Sequence, residues 1–160
     1  MKKFLVVLDV DSTLIEQEVI ELLAERVGLR DQVKNLTDLA MSGEIDFRDA
    51  LLQRVSLLEG LSAEVFEDLL AEIKITDGVA ELIGAVHTSG GLVGAISGGF
   101  SQVLEPLAGK LGLDFFMANN LEIHEGVLTG KIDGDIIDAD KKAQTLLHWA
   151  EKHGFNIADT

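Results

Sequence analysis

The sequence predicts an α/β fold, and two apolar runs with their flanking segments support this prediction. The runs at 4–8 and 91–97 are apolar, and polar or glycine residues follow each of them, as is typical of strands buried on both faces. Apolar residues recur at helical spacing on both sides of the second run, at 77–89 and 100–112. Strands that alternate with helices favour a Rossmann-like parallel core sheet.

Four helical patterns in succession separate the two predicted strands and interrupt this alternation. They occupy residues 16–28, 31–42, 46–59 and 63–73. We interpret them as an all-helical insertion that lies over the strand ends. The predicted domains are therefore an α/β core, residues 1–14 and 75–160, and a helical cap, residues 15–74.

The last part of the chain predicts a strand, a small β-hairpin and a helix. The strand is expected at 114–118. Alternating apolar and polar residues around Glu125 and Gly126, from 121 to 132, indicate the hairpin. The final helix is expected at about 140–153.

Composition limits the classes of function. A chain of 160 residues with 47% hydrophobic residues and a mean hydropathy of +0.25 is expected to fold. A net charge of −15 disfavours nucleic acid as a partner, because phosphate backbones select basic surfaces. No apolar run approaches the roughly 20 residues of a membrane helix, so we expect no membrane partner. The absence of cysteine is compatible with a cytoplasmic location.

Two carboxylates, Asp9 and Asp11, directly follow the first predicted strand. Ligands gather at the carboxyl ends of parallel strands, and residues two apart on a strand share a face. Two negative charges at such a short distance repel each other unless a cation or a shared proton relieves the repulsion. The pair therefore predicts a metal or acid–base site, and phosphoryl transfer in particular. A solvated turn at the strand end is the simpler alternative.

Ser97, Gly98 and Gly99 end the second predicted strand, where we expect a turn into the next helix. A hydroxyl beside unhindered backbone N–H groups would form an anion site there. Lys141 and Lys142 open the final helix, where the helix dipole disfavours cations unless an anion is bound. An ordinary glycine-rich turn and a solvated lysine pair stay open as alternatives.

Arg54 and Glu18 are candidates for substrate recognition. Arg54 projects from the same arc of its predicted helix as Ala50 and Leu51, and Glu18 flanks an apolar helix face near Leu22. Each alone is more often an ordinary surface residue. Together they would suit a zwitterion, with Arg54 on a carboxylate and Glu18 on an ammonium group.

These motifs resemble the haloacid dehalogenase superfamily. The resemblance rests on Asp9-Val-Asp-Ser-Thr-Leu, Ile96-Ser-Gly-Gly-Phe and a late lysine. Within that superfamily the chain is similar to the phosphoserine phosphatases. That likeness includes the segments Ala40-Met-Ser-Gly-Glu, Asp46-Phe-Arg and Gln53-Arg-Val-Ser-Leu-Leu. The resemblance implies a hydrolase that removes phosphate from L-phosphoserine, the last step of serine biosynthesis.

The resemblance also implies the residue roles. Asp9 would be the nucleophile that forms an aspartyl-phosphate, and Asp11 would be the general acid and then the base. Asp9 through its carboxylate and Asp11 through its backbone carbonyl would ligate Mg²⁺. The implied substrate-binding residues are Glu18, Met41, Phe47, Arg54, Ser97, Gly98 and Lys142, the last matching the family lysine better than Lys141.

The family pattern continues, after the segment matched by Asp159-Thr160, with a strand and a Gly-Asp-Gly-Ala-Asn-Asp motif that supplies another Mg²⁺ ligand. The 160 residues stop short of it, so we expect the C-terminal strands of the family fold to be missing and these residues alone to show little or no activity. Leu5 to Leu8 would then lie on an unprotected sheet edge. A homodimer or strand-swapped oligomer is one expected consequence.

Three other functions stay open. The substrate could be another small phosphomonoester, or the chain could be a catalytically silent binding module. A response-regulator receiver domain also combines carboxylates, a hydroxyl residue and a lysine on a parallel sheet. A receiver would carry neither a four-helix insertion after its first strand nor the Ser97-Gly98-Gly99 segment.

Overall fold

The computed structural model describes residues 4–160. The predicted core-domain bound at residue 1 therefore lies outside the described residues. The described chain contains one open sheet of four strands. They are β1 (Leu5–Leu8), β2 (Leu92–Phe100), β3 (Phe115–His124) and β4 (Val127–Asp133).

Seven α-helices accompany the sheet within residues 4–160. They are α1 (Val19–Arg26), α2 (Arg30–Met41), α3 (Phe47–Ser56), α4 (Val65–Glu72), α5 (Val79–Thr88), α6 (Ser101–Leu111) and α7 (Ala139–Lys152). Short helical turns occupy Val10–Leu14 and Ile157–Asp159. The prediction of a helix from residue 16 was wrong at its start, because the chain stays extended at Glu18 and α1 begins at Val19.

The strands follow the order β1-β2-β3-β4, which confirms the predicted α/β class. β2 pairs in parallel with both β1 and β3, whereas β3 and β4 are antiparallel. β1 lies at one edge of the described sheet, as expected. Oligomer formation through that edge stays a prediction.

The separate strand and hairpin predicted after residue 114 are one continuous structure. β3 runs without a break from Phe115 to His124, pairing first with β2 and then with β4. The hairpin turns at Glu125 and Gly126, both with positive φ, as the sequence predicted. The boundary at 118 was wrong because the strand changes partners there without leaving the sheet.

The predicted turn at Gly98 and Gly99 was also wrong. β2 continues through both glycines to Phe100. Its register against β3 shifts, since Ile96 pairs with Met117 and Phe100 pairs with Asn119. The glycines therefore lie in an irregular strand segment that leads directly into α6.

Apolar side chains cover both faces of the sheet. Val93 and Ala95 belong to the larger core cluster, whereas Ile96 joins Trp149 of α7 in a second one. This division matches the alternation of side chains along a strand buried on both faces. Across residues 4–160, none of the helices combines the length and hydrophobicity needed to cross a bilayer.

The helical cap begins and ends at one small antiparallel contact. Ile15 bridges Ile75, and the Glu16 N–H donates to the Lys74 carbonyl at 2.9 Å. These bonds lie at the predicted domain boundary. The cap also lies against the hairpin, because the Gly60 N–H donates to the Leu128 carbonyl at 2.8 Å.

Candidate functional site

A cavity of about 580 Å³ lies where the strands end beneath the helical cap. We call its two sides the sheet side, carrying Asp9, Asp11, Gly98 and Lys142, and the cap side, carrying Glu18, Phe47 and Arg54. The complete lining is Asp9, Asp11, Glu18, Ile20, Asp46, Phe47, Arg48, Leu51, Arg54, Gly98, Gly99, Phe100, Ile137, Asp138, Ala139, Asp140 and Lys142.

Asp9 is paired with a lysine from the far end of the chain. β1 ends at Leu8, and Asp9 Oδ1 accepts the Val10 N–H at 2.9 Å. The same oxygen lies 3.0 Å from Nζ of Lys142, which α7 carries. Lys141 instead reaches Asp135 at 3.3 Å, so the two lysines have different partners.

Asp11 lies in the turn after β1, so the expectation that Asp9 and Asp11 share a strand face was wrong. Asp11 Oδ1 accepts a hydrogen bond of 3.2 Å from the N–H of Val19, the first residue of α1. A methyl group added at Gly99 would lie 2.6 Å from Asp11 Oδ2, so the glycine makes room for this carboxyl group. Burial raises the pKa of Asp11 to about 7, and the Glu18 carboxylate adds to the rise.

Glu18 immediately precedes α1 rather than lying within it. Its Oε1 accepts a hydrogen bond from Ser12 Oγ at 2.6 Å. Ser12 has a positive φ of 55°, a conformation that few non-glycine residues adopt. The turn after β1 thus brings the carboxylates of Asp11 and Glu18 to neighbouring positions on the cavity wall.

Arg54 is 7% exposed although it carries a charge. Its Nε donates to the Ala50 carbonyl at 3.2 Å and one terminal nitrogen donates to Thr37 Oγ1 at 3.0 Å. Burial lowers the pKa of the guanidinium group, and the negative charges of Glu18 and Asp11 oppose that shift. The structure therefore holds a desolvated cation at the cap side of the cavity.

Phe47 lines the cavity from the cap side. A methyl group added at Gly98 would lie 3.3 Å from the Phe47 ring, so the glycine lets the ring pack closely against the strand. Met41 does not line the cavity, which corrects the prediction. It is the last residue of α2, it is 83% exposed, and the turn that follows leaves it in solvent.

Ser97 lies beneath the cavity surface with 1% of its area exposed. Its Oγ accepts the Gly99 N–H at 2.8 Å, which orders the irregular end of β2. The added methyl group at Gly99 would lie 3.0 Å from this oxygen. Ser97 Oγ and Asp11 Oδ2 therefore both lie close to the side-chain position of Gly99.

Comparison with known proteins places this constellation in a family. The sequence profile of the haloacid dehalogenase-like hydrolases matches residues 6–160. The chain belongs to the haloacid dehalogenase-like hydrolase family. A phosphoserine phosphatase of Lactococcus lactis is 45% identical over 157 residues, which cover 98% of this chain and 73% of that protein.

Two solved structures resemble this haloacid dehalogenase-like hydrolase over its whole length. One is an analogue of the phospho-aspartyl intermediate of phosphoserine phosphatase, with a TM-score of 0.94 and 37% identity. The other is a substrate-bound phosphoserine phosphatase complex, with a TM-score of 0.94 and 36% identity. This chain covers 77% and 76% of the two structures.

The donor set of this hydrolase suits a divalent cation. Asp9 and Asp11 place two carboxylates at the sheet side, and oxygen ligands are those that hard cations prefer. Within residues 4–160, the acidic and histidine residues form no cluster of three or more with metal-binding geometry. Family membership indicates a divalent metal, and the single carboxylate of Asp9 suits an ion that retains bound water, because the Val19 N–H already binds the Asp11 carboxyl group.

Sequence reasoning missed four polar residues of the cavity wall: Asp46, Arg48, Asp138 and Asp140. Asp46 and Asp138 accept N–H bonds at the starts of α3 and α7. Arg48 lies 3.4 Å from Asp138 and joins the cap to the core. For Asp46 and Asp138, an aspartate near the start of a helical pattern was the available signal, because aspartate is a preferred N-terminal capping residue.

Proposed function

We propose that this chain is a Mg²⁺-dependent phosphatase of L-phosphoserine that works through an aspartyl-phosphate. One observation carries the proposal: a single cavity holds a carboxylate paired with a lysine at its sheet side and a buried arginine near a glutamate at its cap side. These charges complement a substrate with a phosphate at one end and an ammonium and a carboxylate at the other.

In the first step, a carboxylate oxygen of Asp9 attacks phosphorus as the bond from phosphorus to the serine oxygen breaks. Asp11 donates its proton to that oxygen, so that serine leaves as a neutral alcohol. A carboxyl group with a pKa of about 7 is protonated often enough at neutral pH to serve as this acid. Lys142 and Gly98 bind the phosphoryl oxygens.

In the second step, water replaces Asp9 on phosphorus. Asp11, now a carboxylate, accepts a proton from the attacking water. The bond from Asp9 to phosphorus breaks, which releases inorganic phosphate and restores the Asp9 carboxylate. The Lys142 ammonium group, 3.0 Å from Asp9 Oδ1, stabilises that carboxylate as it re-forms.

Mg²⁺ would be held by the Asp9 carboxylate and the Asp11 backbone carbonyl. Such an ion is usually bound by one or two protein carboxylates, waters and substrate phosphate, which matches this donor set. When bound, it neutralises charge on the phosphoryl oxygens and offsets the repulsion between phosphate and Asp9.

The cap side would recognise the amino acid part of the substrate. Arg54 pairs with the substrate carboxylate, and its bonds to Ala50 and Thr37 hold the guanidinium group in place beforehand. Glu18 pairs with the substrate ammonium group. Phe47, packed over Gly98, excludes water from the space between the two sides.

A substrate comparison tests this proposal. L-phosphoserine should release phosphate faster, and bind more tightly, than phosphoethanolamine, which lacks the carboxylate, and than glycerol phosphate, which also lacks the amine. Binding is measured together with rate because affinity reports recognition of the carboxylate and the amine separately from the chemical step. Equal affinity for all three esters would contradict phosphoserine as the substrate.

A further inference from the structure

Asn119, in the middle of β3, is fully buried and uses both ends of its side chain. Its Nδ2 donates to the Gly98 carbonyl at 2.8 Å. Its Oδ1 accepts the Ile137 N–H at 2.8 Å. Gly98 and Ile137 line the cavity, whereas Asn119 is absent from the lining. One side chain therefore ties together two backbone segments that form the sheet side.

The first of these bonds compensates for an irregularity in the sheet. Between Ile96–Met117 and Phe100–Asn119, residues 97–99 of β2 lie opposite residue 118 of β3 alone. Such a bulge removes backbone groups from the regular strand ladder. A buried carbonyl without a donor is costly, and the Asn119 amide supplies the donor for Gly98.

The second bond lies one residue before the capping residue of α7. Ile137 directly precedes Asp138, which caps α7 by accepting the Lys141 N–H at 2.9 Å. The Asp138 carbonyl accepts the Lys142 N–H, also at 2.9 Å. Ile137 is thus adjacent to the residue that binds the first turn of the helix from which Lys142 reaches Asp9.

We propose that Asn119 is a positioning residue that fixes Gly98 and Lys142 relative to each other, so that a phosphate is held from both sides. The inference deepens the proposed function, on which it rests for the nature of the bound anion. Among side chains of this size, a neutral amide offers both a donor and an acceptor. An aliphatic residue offers neither, and an ionised aspartate offers only the acceptor.

The first test measures the affinity of the protein for inorganic phosphate by titration calorimetry in the presence of Mg²⁺. Asn119→Ala should weaken binding by about 10- to 100-fold, the usual cost of removing a group that orients ligand-binding residues. Val103→Ala is the matched control, because it removes buried volume from α6 in the core cluster and so lowers stability. It should bind phosphate as the unchanged protein does.

The second test separates positioning from general stability. In Asn119→Asp, a protonated carboxyl group can donate to Gly98 and accept from Ile137, as the amide does. At each pH, its phosphate affinity is compared with that of the unchanged protein. As pH is lowered from about 8 to about 5, the affinity of Asn119→Asp should approach that of the unchanged protein, since burial favours the protonated form. Asn119→Ala should show no such recovery. Amide exchange at Ile137, followed by NMR without ligand, should be fast in Asn119→Ala and slow in the unchanged protein.

Unchanged phosphate affinity in Asn119→Ala would overturn the inference, as would an equal loss of affinity in Val103→Ala. If the unchanged protein binds phosphate but does not prefer L-phosphoserine, the proposed substrate is wrong. The comparison of Asn119 variants still decides the inference in that case, because inorganic phosphate contains no serine part.

Discussion

The two sides of the cavity are built by different means. On the sheet side, backbone groups set the positions of the carboxylates: the Val10 N–H binds Asp9 and the Val19 N–H binds Asp11. On the cap side, Arg54 depends on packing between helices, since α3 carries it and Thr37 of α2 binds it. We therefore expect changes on the sheet side to alter the rate of the reaction and changes on the cap side to alter the choice of substrate.

The strongest test of this division is Asp9→Asn. The amide cannot attack phosphorus, so we expect turnover to fall by at least about 10⁴-fold. No labelled phosphoryl group should be trapped on the quenched protein. Asp140→Asn is the control, because Asp140 lines the same cavity and no catalytic role is proposed for it. Labelled phosphate still recovered on Asp9→Asn would rule out Asp9 as the nucleophile.

Asp11→Asn should lower turnover by about 10²- to 10⁴-fold, because the amide cannot donate a proton to the departing oxygen. The loss in the rate of aspartyl-phosphate formation, measured in a single turnover, should shrink for an ester whose alcohol is acidic, such as p-nitrophenyl phosphate, since that group leaves without a proton. A loss of equal size in this step for both esters would contradict the role of Asp11 as general acid.

The same substitution makes a prediction for stability. The pKa of Asp11 is about 7 in the folded protein, compared with 3.8 for an aspartate outside a folded structure. Folding therefore favours the protonated form. This contribution to stability is complete below about pH 4 and is lost as pH rises through about 7. With metal chelated, Asp11→Asn should therefore gain in melting temperature relative to the unchanged protein as pH rises. A constant difference across that range would show that Asp11 is not the titrating group.

The sheet side could be predicted from the sequence more completely than the cap side. Asp9 and Asp11 follow a strand that its apolar pattern identifies. The topology of a parallel sheet then places the ends of neighbouring strands together. The unusual cations at a helix start pointed to the pair Lys141 and Lys142, and the family resemblance selected Lys142. The patterns that point to the two aspartates and to the lysine pair each lie within a few residues of the side chains concerned.

The cap side depends on contacts that no local pattern encodes. Arg54 was found through its helix face, but Met41, predicted beside it, lies at the solvent-exposed end of α2. The prediction missed Asn119 and the bulge opposite it, because β2 and β3 are distant in sequence and the register shift appears only once they pair. The continuous course of β3 was missed for the same reason.

Arg54→Ala is the test of the cap side. It should weaken the selectivity for L-phosphoserine by about 10- to 100-fold, since hydrogen bonds to charged groups contribute about 1.5–3 kcal/mol. Turnover of phosphoethanolamine should change little. Arg48→Ala, on the same helix and in the same cavity lining, is the matched control and should preserve the selectivity. Equal losses for both esters in Arg54→Ala would show that Arg54 supports the fold rather than the substrate carboxylate.

Gly130→Ala should give the smallest effect and shows whether the cap side depends on the hairpin. Gly130 has a φ of +76°, and an added methyl group would lie 3.2 Å from the carbonyl oxygen of Ser56, the last residue of α3. Gly126 has a φ of +79° but open space around it, so Gly126→Ala isolates the backbone cost, about 1–2 kcal/mol in thermal unfolding. Gly130→Ala should lose more stability than Gly126→Ala, because its methyl group also presses against Ser56. Displacement of α3, the helix that carries Arg54, should raise KM for L-phosphoserine while kcat stays constant. If the two variants have the same stability and the same KM, the end of α3 accommodates the methyl group without moving Arg54. The cap side is then independent of the hairpin.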